Sequence, residues 1–242
     1  MDILPAALAS ALAAPPRWDD LVAAVAAFDK EVRAAPTAEH VAACERLVEA
    51  LSSATHTDLA DRVLDTHAFA CAAVPPDPAA LATWLLRLQL DFPAAPEVRL
   101  ARYADLLGED GVGLYREWAV TRFSALPVIG FGQTGRYDRA RWALLRIMEE
   151  LAEFTEEVDL QVLVLGKDLS SGWHYLQVAT VLQEAGRSQE ALEWVHRGLA
   201  ATGGRGAAGR LVDLAVTEYT RLGMPEEAAR LRKQDPPRQD GR

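Results

Sequence analysis

Apolar residues return along this chain every three or four positions, and polar residues fill the opposite side of each 3.6-residue turn. In "RWDDLVAAVAAFDKEV" (17–32), Leu21, Val25, Phe28 and Val32 form one stripe. Thr37 opens a second helix through Val41, Cys44, Leu47, Val48 and Leu51. Thr55 or Thr57 opens a third through Leu59, Val63, Leu64 and Ala68, and "VPPDP" (74–78) ends it. Asp77 followed by Pro78 reads as an N-cap with proline at the first helical position, which predicts a helix through Leu81, Trp84, Leu85 and Leu88. Beyond "FPAAP" (92–96) the spacing predicts a helix through Val98, Leu100, Tyr103 and Leu107. The next is capped by Asp110 and carries Leu114, Trp118 and Phe123. A looser stretch with Gly and Pro follows at 126–135, and then helices near 137–155, 157–168, 171–185, 188–201, 208–222 and 225–234. "VDLQVLVLG" (158–166) has a strand-like run, but a lone strand would have no sheet to join, so it reads as a buried helix.

The pattern therefore predicts an all-α chain. Its organisation is an N-terminal array of helical hairpins over 1–125, an irregular link at 126–136, a second array over 137–234, and a tail at 235–242 too poor in apolar residues to pack. The two arrays are expected to form one continuous solenoid. Three segments share a short pattern: "GRYDRA" (135–140), "GRSQEA" (186–191) and "GMPEEA" (223–228). Each has a glycine, cap residues, a charge and then a small alanine, the signature of a joint between two antiparallel helices.

The middle copy resembles the tetratricopeptide (TPR) repeat. Tyr175, Val178, Ala179, Leu182, Gly186, Ala191 and Gly198-Leu199 stand at that repeat's signature positions. Val212, Ala215, Val216, Tyr219 and Ala228 follow in register 37 residues on. The copy at Gly135 keeps only the turn and second helix. The resemblance implies a TPR-like α-solenoid of antiparallel helical hairpins, whose first helices line a concave surface. Residues 146–200 also look like the C-terminal helical region of bacterial SWIM zinc-finger proteins. That family's C-x-C zinc motif does not occur in this chain, so the resemblance implies the fold and not the metal.

Composition narrows the function classes. A net charge of −10 disfavours free binding to nucleic acid or to an anionic membrane. Only Lys30, Lys167 and Lys233 are lysines among 25 basic residues. Two well-separated cysteines make no disulfide framework and fit a reducing cytoplasm. "MDILPAALASALAAP" lacks the positive start of a signal peptide, and no apolar run approaches the roughly 20 residues of a membrane span. A cytoplasmic chain is expected.

Candidate chemistry is sparse. Gly130-x-Gly132-x-x-Gly135, inside "PVIGFGQTGRYDRA" (127–140), has the spacing of a dinucleotide fingerprint. Its would-be strand is short, contains Pro127 and begins no βαβ unit, so no cofactor is expected. His40-x-x-x-Cys44 and His67-x-x-x-Cys71 each place two ligand types on one helix face, and two facing helices would complete a Cys₂His₂ zinc site. The alternative is that both cysteines are small core residues. Ser170 and Ser171 near His174 suit an N-cap better than a nucleophile, and no G-x-S-x-G occurs. Glu149, Glu150, Glu153, Glu156, Glu157 and Asp159 form an acidic face without a histidine. The six tryptophans fall mostly in helical stripes and are expected in the core, Trp173 excepted. In the TPR register Trp173, Leu176, Thr180, Gln183 and Glu184 face the groove. Arg210, Asp213, Thr217, Thr220 and Arg221 follow from the next hairpin. The expected function is a non-enzymatic scaffold or adaptor that binds a protein or peptide. The alternative is a metal-binding regulatory module using His40/Cys44 and His67/Cys71.

Overall fold

In the computed structural model, which describes Leu8 and residues 18–92, 94–135 and 138–234, the helices start and stop at their caps. The tail at 235–242, Arg136 and Tyr137 of "GRYDRA", and the N-terminal segment apart from Leu8 lie outside the described residues. The chain divides into two compact units: Met1–Thr121 with Arg139–Glu150, and Arg122–Asp138 with Leu151–Arg242. Among the described residues there is no strand, only an isolated parallel bridge between Ile129 and Asp168. No described helix is long and apolar enough to cross a membrane.

The first unit opens with α1 (Trp18–Ala34), α2 (Ala38–Ser53), α3 (Thr57–Ala73) and α4 (Pro78–Asp91). The expected stripe Leu21, Val25, Phe28 and Val32 is the buried face of α1. The Thr37 side chain accepts a hydrogen bond from the His40 N–H, and Asp77 accepts one from the Ala80 N–H at 2.8 Å, so both expected caps form. Helix α2 packs on α3, and Glu49 ties it to α4 by accepting from Trp84 Nε1 at 3.1 Å and from Arg87.

The stretch after α4 departs from the expected helix. Val98, Leu100, Tyr103 and Leu107 are all buried, yet the backbone is non-helical up to a 3₁₀ turn at Leu100–Arg102. The Glu150 carboxylate captures the Leu100 N–H at 2.6 Å, which gives that donor a tertiary partner in place of a helical one. Helix α5 (Ala104–Ser124) is broken at Gly108 (φ 56°, ψ −169°), so Asp110 lies inside the helical stretch that follows rather than capping it.

The second unit contains α7 (Val158–Leu165), α8 (Gly172–Glu184), α9 (Ser188–Thr202), α10 (Ala208–Arg221) and α11 (Pro225–Gln234); α6 (Arg139–Thr155) spans the division. "VDLQVLVLG" is helical, as expected, with Leu160 and Val164 buried. Successive helices α8, α9, α10 and α11 pack pairwise, and α8 also touches α10. Their core is Tyr175, Val178, Ala179 and Leu182 from α8, Ala191, Leu192 and Val195 from α9, and Leu211, Leu214 and Ala215 from α10.

Two of the three expected joints are present. Gly186 (φ 73°) and Gly223 (φ 74°) each sit in the left-handed region where a helix ends. At the first, the Arg187 N–H donates to Leu182 O at 2.8 Å and the Gly186 N–H to Gln183 O at 2.9 Å. At the second, Met224 and Gly223 repeat both bonds to Tyr219 O and Thr220 O. Gly135 is different. No helix lies among the described residues between Ser124 and Arg139, and Gly135 instead allows a close approach, since a Cβ there would meet Ile129 Cδ1 at 2.7 Å. "GRYDRA" is therefore not a helix-to-helix joint.

The same two-bond joint recurs between α2 and α3, where the sequence pattern shows no glycine. The His56 N–H donates to Leu51 O at 2.9 Å and the Thr55 N–H to Ser52 O at 3.2 Å, with Thr55 at φ 62°. A β-branched residue is strained there. Thr55→Gly is expected to raise stability by about 1 kcal/mol, or about 2–4 °C in thermal midpoint. A lower midpoint in a melting experiment would show that no strain is released.

Candidate functional site

The histidine–cysteine pairs are not brought together as a set of four. His40 lies at the N-terminus of α2, with Nδ1 3.3 Å from Thr37 Oγ1 and Nε2 3.7 Å from Glu31. Cys44, Cys71 and His67 are fully buried. The Tyr103 hydroxyl donates to Leu64 O at 3.2 Å and accepts from His67 Nδ1 at 3.0 Å, which leaves Nε2 facing Cys71 Sγ at 3.4 Å. The His67 ring also packs against Trp84 at 4.5 Å between centroids. Burial pushes both thiols up to about 12, with a further push on Cys44 from its neighbour Cys71, so they stay protonated and unreactive at neutral pH. Among the described residues no group of three or more His, Cys, Asp or Glu side chains is placed to hold a metal ion.

Ser170, Ser171 and His174 form a cap. Ser171 is the N-cap of α8, and its N–H donates to His174 Nδ1 at 3.3 Å. Ser170 Oγ and Asp168 Oδ1 approach the same Nδ1 at 3.4 Å. A nucleophile–base–acid relay needs the two ring nitrogens to serve different partners. Here one nitrogen faces them all.

The glycine segment is a strap laid along residues 167–170. The Ile129 N–H donates to Lys167 O at 3.0 Å, the Leu169 N–H to Ile129 O at 2.8 Å, and the Gly132 N–H to Ser170 O at 3.0 Å. The next helix starts only at Arg139, so its N-terminal amides are not presented by the G-x-G-x-x-G turn as a dinucleotide would require. The sequence pattern gave no sign of what holds this strap. Lys167 is buried, and its Nζ donates to Ser124 O at 2.9 Å and Leu126 O at 2.7 Å.

The acidic run is dispersed among structural tasks. Glu150 serves the Leu100 N–H, and Asp159 pairs with Arg187 at 2.5 Å. Burial, helped by Glu97 and opposed by Arg146, raises the Glu149 carboxyl above its usual value. Of the five tryptophans expected in the core, Trp84 is buried at 5 % exposure and Trp118 and Trp194 are half-buried, whereas Trp18 and Trp142 are at least half exposed and correct the expectation. Trp173, excepted from it, is half exposed as well.

The two sets of expected groove residues do meet, since α8 and α10 touch. At one end the Arg210 guanidinium lies 5.7 Å over the Trp173 ring. At the other, Gln183 Nε2 donates to Glu218 Oε1 at 2.8 Å and Arg221 binds Glu218 Oε2 at 2.9 Å. Burial pushes the Glu218 carboxyl up, but bonds from Ser188 and Gln183 and the Arg221 charge outweigh it and hold the group below the usual carboxylate range. Gln183 and Arg221 are thus committed to helix packing through a buried glutamate that the register did not single out. Leu176 and Thr180 are half-buried, while Glu184, Asp213, Thr217 and Thr220 are exposed. The Thr217 hydroxyl donates back to Asp213 O at 2.9 Å. Comparison with protein-family models, with curated proteins and with solved structures gave no match to this chain.

Proposed function

We propose that this chain is a non-enzymatic scaffold whose second unit is a TPR-like stack of helical hairpins, with α8 and α10 lining a concave surface that docks a protein or peptide segment. The observation that carries this reading is the half-exposed Trp173 ring, met by Arg210 from the next hairpin, on a face that also exposes Glu184, Asp213, Thr217 and Thr220. A large rigid ring left half in water leaves much of its apolar surface unburied, and tryptophan and arginine are among the residues most enriched at binding hot spots. The glycine joints and the packing of α8 on α10 support the stacked arrangement. The resemblance of 146–200 to the helical region of SWIM zinc-finger proteins supports the helical fold of this unit.

The test is a double substitution on the exposed face. Trp173→Ala with Leu176→Ala is expected to weaken partner binding by at least about tenfold, the loss of one hot spot. Leu176 packs against the α8–α10 core, so the double variant should melt somewhat lower than the parent while keeping its helical circular dichroism. Trp173→Ala alone, with its ring half exposed, should keep the midpoint and still lose most of the affinity. Affinity unchanged by titration calorimetry would sink the docking face.

A further inference from the structure

We infer that the strap is a built-in occupant of a peptide-binding edge. Residues 167–170 accept an extended segment of a partner protein, with an apolar residue two places before an aromatic one, in place of the chain's own Ile129 and Phe131. This edge is separate from the Trp173 face and does not rest on its docking role. The two sides of the pairing are built differently. The edge is fixed: Lys167 and Leu169 are buried, and Leu169 belongs to the core shared by α8, α9 and α10. Asp168 Oδ1 accepts from the Ser170 N–H at 3.0 Å, and the next residue, Ser171, is held as the N-cap of α8 through His174. The strap rests on this edge without entering a core. No residue of 124–135 is buried, and Val128 is half exposed. In sequence it is an excursion: the chain on both sides, 1–121 and 139–150, belongs to the first unit, and the rest of the second unit is the continuous stretch Leu151–Arg242. A segment that buries so little opens at low cost while the core beneath it stays folded.

The strap itself defines what fits. The Ile129 N–H and O bracket Asp168, which is parallel pairing of two extended backbones, and it is the one isolated bridge among the described residues of a helical chain. When the strap lifts, Lys167 O, the Leu169 N–H and Ser170 O lose its three bonds. Another extended backbone replaces them as an added strand completes an open edge. Main-chain bonds serve any sequence, so choice falls to alternate side chains. Ile129 and Phe131, two apart, are half-buried, and the Phe131 ring lies 5.8 Å from the Arg205 guanidinium. The Gln133 N–H then turns back to Gly130 O at 3.0 Å, which limits the contact to a few residues. A closed strap hides the edge, so the partner's apparent affinity falls with the fraction of chains that are open.

The test uses the full chain and a capped peptide of residues 125–134, followed through the Leu169 and Ser170 amide signals by NMR. Ile129→Pro removes the N–H that donates to Lys167 O and leaves residues 167–170 unchanged. Amide exchange at Leu169 should quicken in this variant, and the peptide should shift both signals. The parent should bind the peptide at least about tenfold more weakly, because a tethered strap competes at an effective concentration on the order of millimolar. Within the peptide, Phe131→Ala should cost about tenfold and Val128→Ala nothing. Equal binding to parent and variant overturns the inference, as does no binding to the variant. Unchanged Leu169 exchange in the variant overturns it too, since the pairing then does not depend on Ile129. A concentration-dependent dimer of the parent that Ile129→Pro abolishes makes a second copy the occupant and overturns the partner segment.

Discussion

Gly198→Val is expected to destabilise the second unit by about 3 kcal/mol, at the upper end of what overpacking costs. Gly198 lies in α9, where α8 and α10 come closest to it. A Cβ built there would stand 2.8 Å from Tyr175 Cβ, 3.1 Å from Tyr175 Cγ and 3.0 Å from Leu211 Cδ1. The Leu211 methyl can rotate away, but Tyr175 Cβ is fixed to the α8 backbone, so relief requires moving a helix. Two opposing effects set the size of the result. Glycine in a helix costs about 1 kcal/mol relative to alanine, so Gly198→Ala regains part of its clash and should lose only about 1 kcal/mol. Valine adds two methyls and a stiff χ1 to the same gap and regains less. Gly113 in α5 is the control. A Cβ there meets nothing within 4 Å, so Gly113→Ala should raise stability by up to about 1 kcal/mol. If Gly198→Ala raises the melting midpoint as Gly113→Ala does, the close approach at Gly198 is not real.

Most helix bounds follow directly from periodicity and caps, because each helix buries one stripe and its ends need partners for orphan amides. The helix expected over 171–185 is Gly172–Glu184, and that over 188–201 is Ser188–Thr202. What failed did so for tertiary reasons. The spacing of Val98, Leu100, Tyr103 and Leu107 suits a helix, but burial at that spacing is also reached by a non-helical segment whose amide bonds to Glu150. The Thr55 joint is invisible to any search for glycine, since the geometry is held by backbone bonds and the wrong residue type tolerates it. At Gly135 the reverse holds, a glycine used for space rather than for a turn.

The candidate face was legible in register and not in detail. Helical periodicity fixes which positions of α8 and α10 share a side, and the Arg210 guanidinium lies over the Trp173 ring. It does not say which polar residues are consumed by packing. Gln183 and Arg221 read as groove residues until the buried Glu218 claims both. Likewise the i, i+4 spacing of His40 and Cys44 puts them on one side of α2 but says nothing of depth. Cys44 is buried, while His40 stays at the helix end with Thr37 and Glu31.

Lys167→Met is expected to cost about 2 kcal/mol and to loosen one segment before the rest. Methionine keeps nearly the length and volume of the lysine stem, so the loss reports the ammonium and not the packing. That ammonium donates to Ser124 O and Leu126 O and sits 5.5 Å from the Phe123 ring, at the C-terminal end of α5 where the helix presents unpaired carbonyls and a partial negative charge. Hydrogen bonds to charged groups contribute about 1.5–3 kcal/mol each. Two such bonds would suggest a larger figure, but Ser124 is exposed and Leu126 only half-buried, so water can replace part of what is lost, and desolvation of the cation is no longer needed. The strap at 126–132 then keeps its backbone bonds to residues 167–170 and the Phe131 ring under the Arg205 guanidinium at 5.8 Å. Amide exchange of Ile129 and Leu169 should accelerate about 30-fold, the equivalent of 2 kcal/mol, while amides in the core of α9 change less. Uniform acceleration across the second unit would instead mean that Lys167 supports the whole unit, and unchanged exchange at Ile129 would mean that the strap is held without the Lys167 ammonium.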